Sequence, residues 1–285
     1  MNLTVAFWNR WRLGNAERQS EYLANGQVEW DVLLLAEMTP RAFEALCQRL
    51  EPTSAVFALD IVNVNDMKQP HGVAIITRHG RSLSNVRLLP AADSDPETAP
   101  RPERFIAADV DGVPVPLTVA AWHAPYAAGR SKAQRLANRR RKQRGYQQVN
   151  AWLTEQAQSL VVGMDGNNWH DRLEDAEPEL LGNEWDDERR FHASGPEHGL
   201  VDTLRVAIRE DASTRAAYRA GEPLAVTHRI PSAGHRMDRI YASPVLEVVD
   251  AGVDYDGRAF NDIENLKQLT AGSDHALVWV TVHIA

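Results

Sequence analysis

The stretch Leu160-Val161-Val162-Gly163-Met164-Asp165-Gly166-Asn167-Asn168 changes in one step from an apolar run to a group of polar residues. Its first residues are mostly branched and apolar, and a short run of this kind favours a buried β-strand. The carboxylate and amides that follow stand where a continuing strand would remain apolar. Because Asp, Gly and Asn are also common turn residues, this stretch alone fits either a turn or a functional site.

Five other segments place polar residues at the ends of predicted strands. They are Trp8-Asn9, Ala36-Glu37, Trp122–Pro125, Arg236–Ile240 and Gly272–His275. Taken singly, each is explained more readily as a strand-ending turn or a packed loop than as a catalytic group. Their recurrence at six strand ends favours one common site.

The polar residues of these segments form a set rich in oxygen ligands. Its acidic and amide members are Asn9, Glu37, Asp165, Asn167, Asp238 and Asp274. Magnesium prefers a few carboxylates and keeps waters that phosphate oxygens can replace, so the set predicts a Mg²⁺ site, with Mn²⁺ as a substitute ion. His123 and His275 add groups that exchange protons near neutral pH. Zinc is less expected, because cysteine ligands and a histidine pair at helical spacing are both missing from the set.

Apolar runs with strand character recur along the chain, and helical patterns lie between some of them, at 16–25, 39–50 and 131–158. Thr39-Pro40 supplies an N-cap and a proline at the first helical position. Several strand pairs are joined by loops too short for a crossover helix, so antiparallel pairing must be substantial. The pattern predicts one domain over residues 1–285, with a mixed sheet or a pair of sheets and helices outside.

The composition excludes several classes of protein. With 285 residues, 44% hydrophobic and 25% charged, the chain is neither collagen-like nor wholly disordered. Its apolar runs all fall short of the roughly 20 residues that a membrane helix needs, and its N-terminal residues resemble a strand rather than a signal peptide. The single cysteine, Cys47, cannot form an internal disulfide, which is typical of a reducing, cytoplasmic location.

The net charge of −8 argues by itself against a polyanionic partner, but the charge is unevenly distributed. The basic segment, residues 130–144, contains eight basic side chains and no acidic one, whereas the acidic segment, residues 171–188, contains nine acidic side chains and one arginine. The basic segment is either a phosphate-contacting surface for nucleic acid or a solvated face that balances the acidic segment. Arg10 and Arg12 flank Trp11. The two arginines can bind phosphate and the tryptophan can stack on a base, unless Trp11 only covers the domain edge.

Six motifs follow one another in chain order between residues 8 and 275: Trp-Asn, Leu-Leu-Ala-Glu, Trp-His-Ala-Pro, Gly-x-Asp-x-Asn, Met-Asp-Arg-Ile and Ser-Asp-His. Together they resemble the endonuclease/exonuclease/phosphatase superfamily, which includes DNase I, AP endonucleases, inositol-polyphosphate phosphatases and neutral sphingomyelinases. Gly72–Arg78 resembles a core strand of that family, and Gly199–Arg205 resembles the Val-Asp-x-x-Arg segment of its nuclease branch. The resemblance implies an α+β, four-layer αββα DNase I-like fold, with two mixed β-sheets packed face to face and helices outside.

The resemblance also implies hydrolysis of a phosphoester by an in-line water with the help of a metal ion. Glu37 then coordinates the cation with Asn9 nearby, and Asp274 completes that site or holds a second ion. Asp165 orients and deprotonates the attacking water. A cation and preplaced donors stabilise the negative charge that the phosphate oxygens carry in the transition state.

The remaining implied roles concern the phosphate and the leaving group. Asn167 donates to a non-bridging oxygen, while His275, oriented by Asp238, lies beside the scissile phosphate. His123 stabilises developing charge or assists the leaving group. The residues assigned to substrate binding are Asn168, Arg10, Arg12 and Arg139.

Three departures from the family pattern stand out. Ala36 precedes Glu37 where the family usually has Gln, and Asp165 is flanked by residues other than the common ones. The aromatic residue that follows a Thr in AP endonucleases is replaced in Thr227-His228, which weakens a prediction of abasic-site specificity.

Three functions remain open. The first is a Mg²⁺-dependent nuclease acting on DNA or RNA, favoured by the basic segment and the nuclease-like motifs. The second is a phosphatase or phosphodiesterase for a small or lipid-derived phosphoester, which the net negative charge tolerates. The third is a catalytically silent binding module, the least expected because the metal and acid–base residues are all present. Nucleic acid is thus the expected partner, and neither a membrane nor a protein partner is indicated.

Overall fold

Two six-stranded β-sheets and a two-stranded hairpin form the framework of the described part of the chain. In this computed structural model, the described residues are 1–26, 28–62, 70–89, 101–156, 159–168, 186–193, 196–208, 225–230, 233–255 and 273–285. With strands numbered along the chain, the first sheet runs in spatial order β13 (Glu247–Asp254), β14 (Leu277–His283), β1 (Asn2–Asn9), β2 (Val32–Met38), β4 (Gly72–Thr77) and β3 (Ser54–Phe57). The second sheet runs β5 (Ser82–Arg87), β6 (Phe105–Asp111), β7 (Leu117–His123), β8 (Ser159–Asp165), β12 (Asp238–Ala242) and β9 (Val201–Asp202). The hairpin pairs β10 (His228–Ile230) with β11 (Ala233–His235).

The described part of the chain contains six helices. They are α1 (Ala16–Asn25), α2 (Pro40–Leu50), α3 (Ala58–Ile61), α4 (Lys132–Thr154), α5 (Asp186–His192) and α6 (Thr203–Ala207), with a 3₁₀ turn at Pro102–Arg104. None of these described helices is long and apolar enough to cross a membrane.

Three separate apolar clusters define the layers. The central one joins residues of both sheets, among them Phe7 of β1 and Val161 of β8. A second lies between the second sheet and α4, and includes Trp122 and Tyr146. A third joins the first sheet to α1 and α2. Apolar burial on both faces of each sheet stabilises the four layers, and it confirms the αββα architecture.

Each sheet has one parallel strand pair at its centre, and the other pairs are antiparallel. In the first sheet β1 pairs with β2, and in the second β7 pairs with β8. The carboxyl ends of parallel strands meet at the same edge of a sheet. In each sheet the carboxyl ends of the two central strands, β1 and β2 or β7 and β8, therefore lie at the same edge. The polar strand ends were predicted to meet at such an edge.

The three predicted helices are present. Helix α1 spans the predicted residues, and the Thr39 hydroxyl accepts the Ala42 N–H at the start of α2. Helix α4 begins after Ser131, whose hydroxyl accepts the Gln134 N–H. It ends at Thr154, whereas the prediction extended it to residue 158. Residues 155–156 are not helical.

Candidate active site

Three of the predicted catalytic residues are brought side by side by strand register in the second sheet. Parallel pairing of β7 with β8 sets His123 beside Asp165, and antiparallel pairing of β12 with β8 sets Asp238 on the other side of Asp165. All three side chains are buried. Side chains that pair across neighbouring strands project to the same face, so Asp165 is the centre of this group.

The first sheet supplies Asn9 and Glu37. The Asn9 side-chain Nδ2 donates to Asp165 Oδ2 at 2.7 Å, which links the two sheets at the site. Glu37 lies in a β-bulge, where the register with β4 shifts, and has a left-handed φ of 54°. A bulge of this kind re-aims a side chain. Glu37 Oε1 lies 3.8 Å from His123 Nε2, and Oε2 accepts the Arg12 N–H at 3.0 Å.

Both oxygens of the Asp165 carboxylate are held by hydrogen bonds. Oδ2 accepts from Asn9, and Oδ1 accepts the Asn167 backbone N–H at 2.8 Å. Burial, and next the charge of Asp238, raises the pKa of Asp165 from 3.8 to about 7, against the opposing effect of His275. A carboxylate with a pKa near 7 is suited to accept a proton at neutral pH.

Asp238 and His275 form a buried carboxylate–imidazole pair. His275 Nδ1 lies 2.8 Å from Asp238 Oδ2, and the backbone N–H groups of Met237 and Asp238 both donate to Thr227 Oγ1. Burial acts to lower the pKa of His275, but Asp238, by charge and hydrogen bond, together with Asp165, raises that pKa from 6.5 to about 10. In the metal-free protein His275 is therefore an imidazolium at neutral pH.

His123 has the opposite electrostatic surroundings. Arg104 Nη1 lies 3.3 Å from His123 Nδ1, and Arg104 Nη2 lies 3.3 Å from His71 Nε2. Because a guanidinium only donates, Nδ1 is the acceptor and the hydrogen of His123 is on Nε2. Burial, and next the charge of Arg104, lowers the pKa of His123 well below 6.5. His123 is therefore a neutral donor whose Nε2 lies 3.6 Å from Asp165 Oδ2.

The loop after Asp165 is held by α4. Asn167 has a φ of 48°, and its Nδ2 donates to the Ala124 carbonyl at 2.8 Å. The Asn167 carbonyl accepts from Lys142 Nζ at 2.8 Å, and Lys142 also forms a 2.8 Å ion pair with Glu188. Lys142 was counted with the basic segment, yet it is 1% exposed and binds protein groups. It therefore holds the loop after Asp165 in place and adds no charge to the surface.

The chain matches the model of the Endonuclease/Exonuclease/phosphatase family over residues 6–275. It belongs to that family. The match spans all six motifs and includes every residue of the site described above. Membership supports a phosphoester-cleaving enzyme.

Solved structures share the fold at low sequence identity. An AP endonuclease from Archaeoglobus fulgidus is 22% identical, with a TM-score of 0.65 over 99% of this chain and 100% of that chain. TDP2 from D. rerio, complexed with a single-strand DNA product, is 15% identical, with a TM-score of 0.62 and 99% of both chains covered. A 3′ phosphatase from Neisseria, NExo, bound to a product DNA hairpin, is 20% identical, with a TM-score of 0.63 and 99% of both chains covered. No curated protein sequence matches the chain.

Two residues expected to bind substrate are buried within this family member. Arg10 is 3% exposed, and its Nε and Nη2 donate to Gln19 Oε1 and the Gly14 carbonyl. Asn168 is fully buried, with its Oδ1 3.4 Å from Arg239 Nη1. Both expectations are corrected, because these side chains make internal contacts and have almost no surface for a ligand.

Arg12 and Arg139 have the surface that substrate binding requires. Arg12 is exposed beside Glu37, and Arg139 is half-buried on α4. Most of the acidic segment lies outside the described residues. Its described end contacts α4 at two points, because Glu188 pairs with Lys142 and Asp187 accepts from Gln147. Part of the basic segment thus balances the acidic one, while Arg130, Lys132, Arg135 and Arg140 are exposed.

Asp274, which the resemblance expects to complete the Glu37 site or to hold a second ion, lies beside two histidines. Its carboxylate oxygens lie 3.9 Å from His228 Nε2 and 3.9 Å from His275 Nε2. His228 stands out in the sequence only as a departure from the family pattern, and Arg104 is a single arginine before the apolar run at 105–110. Neither residue has a motif of its own, so only the fold shows that they contact His275 and His123.

The donor set at the centre of the site fits a divalent cation. One ligand atom from each of Asp165, Asp238 and His275 lies within 4.8 Å of the others, and the first sheet adds the Glu37 carboxylate, whose Oε1 lies 3.8 Å from His123 Nε2. Asp238 Oδ1 is buried and lacks a hydrogen-bond partner among the described residues. Carboxylate and amide oxygens with little sulfur or nitrogen suit Mg²⁺ and Mn²⁺.

Proposed function

We propose that this protein is a Mg²⁺-dependent nuclease that hydrolyses phosphodiester bonds of DNA or RNA by in-line attack of an activated water. The observation that carries the proposal is the Asp165 carboxylate. It is held by Asn9 and Asn167, has a pKa near neutrality, and lies between a neutral histidine and an imidazolium. This arrangement combines a base with donors for phosphate oxygens, which phosphodiester hydrolysis requires.

Asp165 is proposed to take the proton of the attacking water. Its two oxygens each accept one hydrogen bond from the protein, so the carboxylate is fixed in orientation and keeps lone pairs for the water. The Asn9 bond is buried, which keeps the Asp165 carboxylate from rotating toward Asp238.

The phosphate is proposed to lie among three donors of different charge. His275, held by Asp238, supplies the positive N–H, and His123 supplies a neutral Nε2–H. Asn167 has two side-chain N–H donors, of which one binds Ala124, and the other is assigned to a non-bridging oxygen. Because His123 is neutral, it stabilises developing charge by hydrogen bonding and does not protonate the leaving group.

Glu37 is proposed as the principal Mg²⁺ ligand, with Asp165 and Asp238 beside it. Its carboxylate is the least buried of the three, so it faces the side from which an ion and its waters enter. The cation supplies positive charge against the phosphate oxygens. The backbone N–H of Arg12 holds the second oxygen of Glu37 and thereby limits its rotation.

Nucleic acid is proposed as the substrate because basic side chains adjoin the site. Arg12 follows Asn9 by three residues in the chain. Helix α4 binds the loop after Asp165 through Lys142, and the exposed arginines of α4 precede Lys142 on the same helix. Two structurally similar proteins, D. rerio TDP2 and Neisseria NExo, are bound to DNA products. Phosphate contacts from such arginines make binding depend on salt.

A 3′ phosphatase activity is the second candidate. The similar Neisseria structure is a 3′ phosphatase, so hydrolysis of a terminal phosphate monoester is proposed as a second reaction of the same site.

The location of the protein is proposed as cytoplasmic, since the only cysteine of the chain is unpaired. Residues 1–285 are proposed as one domain, because one site draws on Asn9 and on His275.

One assay tests these proposals. Plasmid DNA, single-stranded DNA, RNA, a 3′-phosphorylated oligonucleotide and a small phosphodiester are each incubated with Mg²⁺ and with EDTA. We expect cleavage of a polynucleotide that EDTA abolishes, and a loss of at least about 100-fold in Glu37→Gln and His275→Gln. The exposed Glu21 of α1 provides the control Glu21→Gln, for which activity stays within about twofold. Equal activity in Glu37→Gln and Glu21→Gln would contradict the proposed site.

A further inference from the structure

A second histidine, His228, lies beside the Asp238–His275 pair and has no part in the reaction proposed above. His228 Nε2 is 3.9 Å from Asp274 Oδ2, and His275 Nε2 is 3.9 Å from Asp274 Oδ1. One ligand atom from each of these three residues lies within 4.8 Å of the others. The cluster is therefore compact enough to be spanned by a single ion.

The backbone sets the two histidines against each other. His228 opens β10 and forms an isolated antiparallel bridge with His275, and the Ala276 N–H donates to the Thr227 carbonyl at 2.7 Å. Residues opposed in an antiparallel bridge project their side chains to the same face. The centroids of the two imidazole rings are accordingly 4.6 Å apart. Their proximity follows from strand register and does not depend on one rotamer alone.

The Asp238 carboxylate completes an arrangement typical of histidine ligands. It holds His275 Nδ1 at 2.8 Å, which leaves Nε2 directed toward Asp274. Metal-ligating histidines commonly donate their other ring nitrogen to a carboxylate, which fixes the ring and strengthens the ligand. His228, Asp274 and His275 are each 7% to 9% exposed, so the cluster is largely buried and keeps a small exposed area through which an ion can enter.

We propose that His228, Asp274 and His275 form a second cation site, distinct from the Glu37 site, that binds Zn²⁺ in preference to Mn²⁺ and Mg²⁺. Two imidazoles and one carboxylate are a common donor set for zinc, with one position left for water or substrate. Tetrahedral zinc with bonds of about 2.0–2.2 Å separates its ligands by roughly 3.3–3.5 Å. The chosen ligand atoms of the three residues lie within 4.8 Å of one another, so the side chains need to close by at most about 1.5 Å to hold one ion.

The proposed ion and the proposed reaction share His275 and the Asp238 carboxylate that holds it. An ion on His275 Nε2 replaces the proton of that nitrogen, as for every histidine ligand. Binding of Zn²⁺ therefore removes the positive N–H that the reaction assigns to the phosphate. The proposal concerns binding in the absence of substrate, so it holds or fails whichever phosphoester the protein hydrolyses.

The test measures Zn²⁺ affinity of the metal-free full chain by competition with a chromophoric chelator, with no substrate present. We expect one site in wild type and a loss of affinity of at least about 100-fold in His228→Phe and in Asp274→Asn. Glu37→Gln separates this site from the other one, and it should leave the affinity within about threefold. His235, across the hairpin from His228 with ring centroids 6.4 Å apart, gives the matched control His235→Gln, also within about threefold.

A second readout reports the geometry of the site. Co²⁺ is added in place of Zn²⁺, and we expect visible absorption bands of a four-coordinate ion in wild type and Glu37→Gln, and their absence in His228→Phe. Asp274→Asn alters only one polar atom, so it decides the outcome if His228→Phe fails to fold by circular dichroism. Unchanged Zn²⁺ affinity in folded His228→Phe or in Asp274→Asn would overturn the proposal. A loss in Glu37→Gln equal to that in Asp274→Asn would also overturn it.

Discussion

Asp165 and Asp238 lie directly opposite each other on β8 and β12, and both carboxylates are buried. Two neighbouring carboxylates disfavour each other's ionisation, so the two groups differ in their electrostatic surroundings. Asp238 pairs with His275 and remains matched by a positive charge, whereas the pKa of Asp165 rises to about 7. The register of one strand pair thus divides two chemically identical side chains into a partner of His275 and a carboxylate with a raised pKa.

This charge arrangement predicts that the metal-free protein loses stability as the pH rises. The folded state raises the pKa of His275 from 6.5 to about 10, so the stability that its proton contributes is present below pH 6.5 and is lost toward pH 10. The raised pKa of Asp165 acts in the same direction at lower pH, between 3.8 and about 7. Urea unfolding in EDTA should therefore give a free energy of unfolding that falls from pH 6.5 to 10.

The variant His275→Gln should remove most of that slope above pH 6.5, because the titrating imidazole is gone. His283, at the opposite end of β14, gives the control His283→Gln, which should keep the wild-type slope. A His275→Gln slope equal to that of wild type would mean that the Asp238–His275 pair does not hold its proton in the folded protein.

Arg104 is predicted to set the tautomer of His123. Its guanidinium faces Nδ1, so the hydrogen of His123 is expected on Nε2, toward Asp165. In Arg104→Met the preference should disappear, and kcat should fall by about tenfold or more while KM for a small substrate changes little. Nitrogen-15 chemical shifts of the ring report the tautomer directly. An Nε2-protonated ring in both proteins would assign the Arg104 contact to packing alone.

The strand-end pattern predicted most of the residues that the structure brings together, because each motif residue follows an apolar run that the sequence displays. Asn9, His123 and Asp165 end their strands as that pattern predicts. What the pattern could not show was orientation. The Glu37 bulge depends on the register between β2 and β4, and the partners of His123 and His275, Arg104 and His228, come from segments distant in sequence.

Edge strands and burial of charge were the other limits. Strands β5 and β13 lie at sheet edges and carry exposed polar residues, so they lack the apolar run on which strand prediction depends. Arg10 and Lys142 look like surface charges in sequence, yet each is buried by contacts with another segment. Composition cannot distinguish an arginine that binds substrate from one that holds a loop.

Gly163 is predicted to be required for the close packing of the two sheets. A Cβ added there would lie 2.6 Å from the Phe7 Cβ and 2.8 Å from Leu34 Cδ1, both in the opposite sheet. Since strand atoms at the centre of a core cannot move apart freely, Gly163→Ala should cost about 1–3 kcal/mol of unfolding free energy. Gly199→Ala offers no useful control because its φ is 71°, so the comparison is with Ser159→Ala, at the start of β8. Equal midpoints of urea unfolding for the two variants would contradict the predicted contact.

The basic face of α4 is predicted to contribute to nucleic-acid binding and not to the chemical step. Replacing Arg139 or Arg140 with Gln removes one positive charge from α4 without touching Asp165 or His275. We expect KM for a polynucleotide to rise several-fold with kcat within about twofold, and the slope of log K against log salt to fall by about one for each phosphate that the variant no longer neutralises. Arg49, in the last turn of α2 on the outer face of the first sheet, gives the control Arg49→Gln. If Arg139→Gln and Arg140→Gln keep the wild-type salt slope, as the control Arg49→Gln does, the substrate does not contact α4. A compact phosphoester then becomes the better assignment.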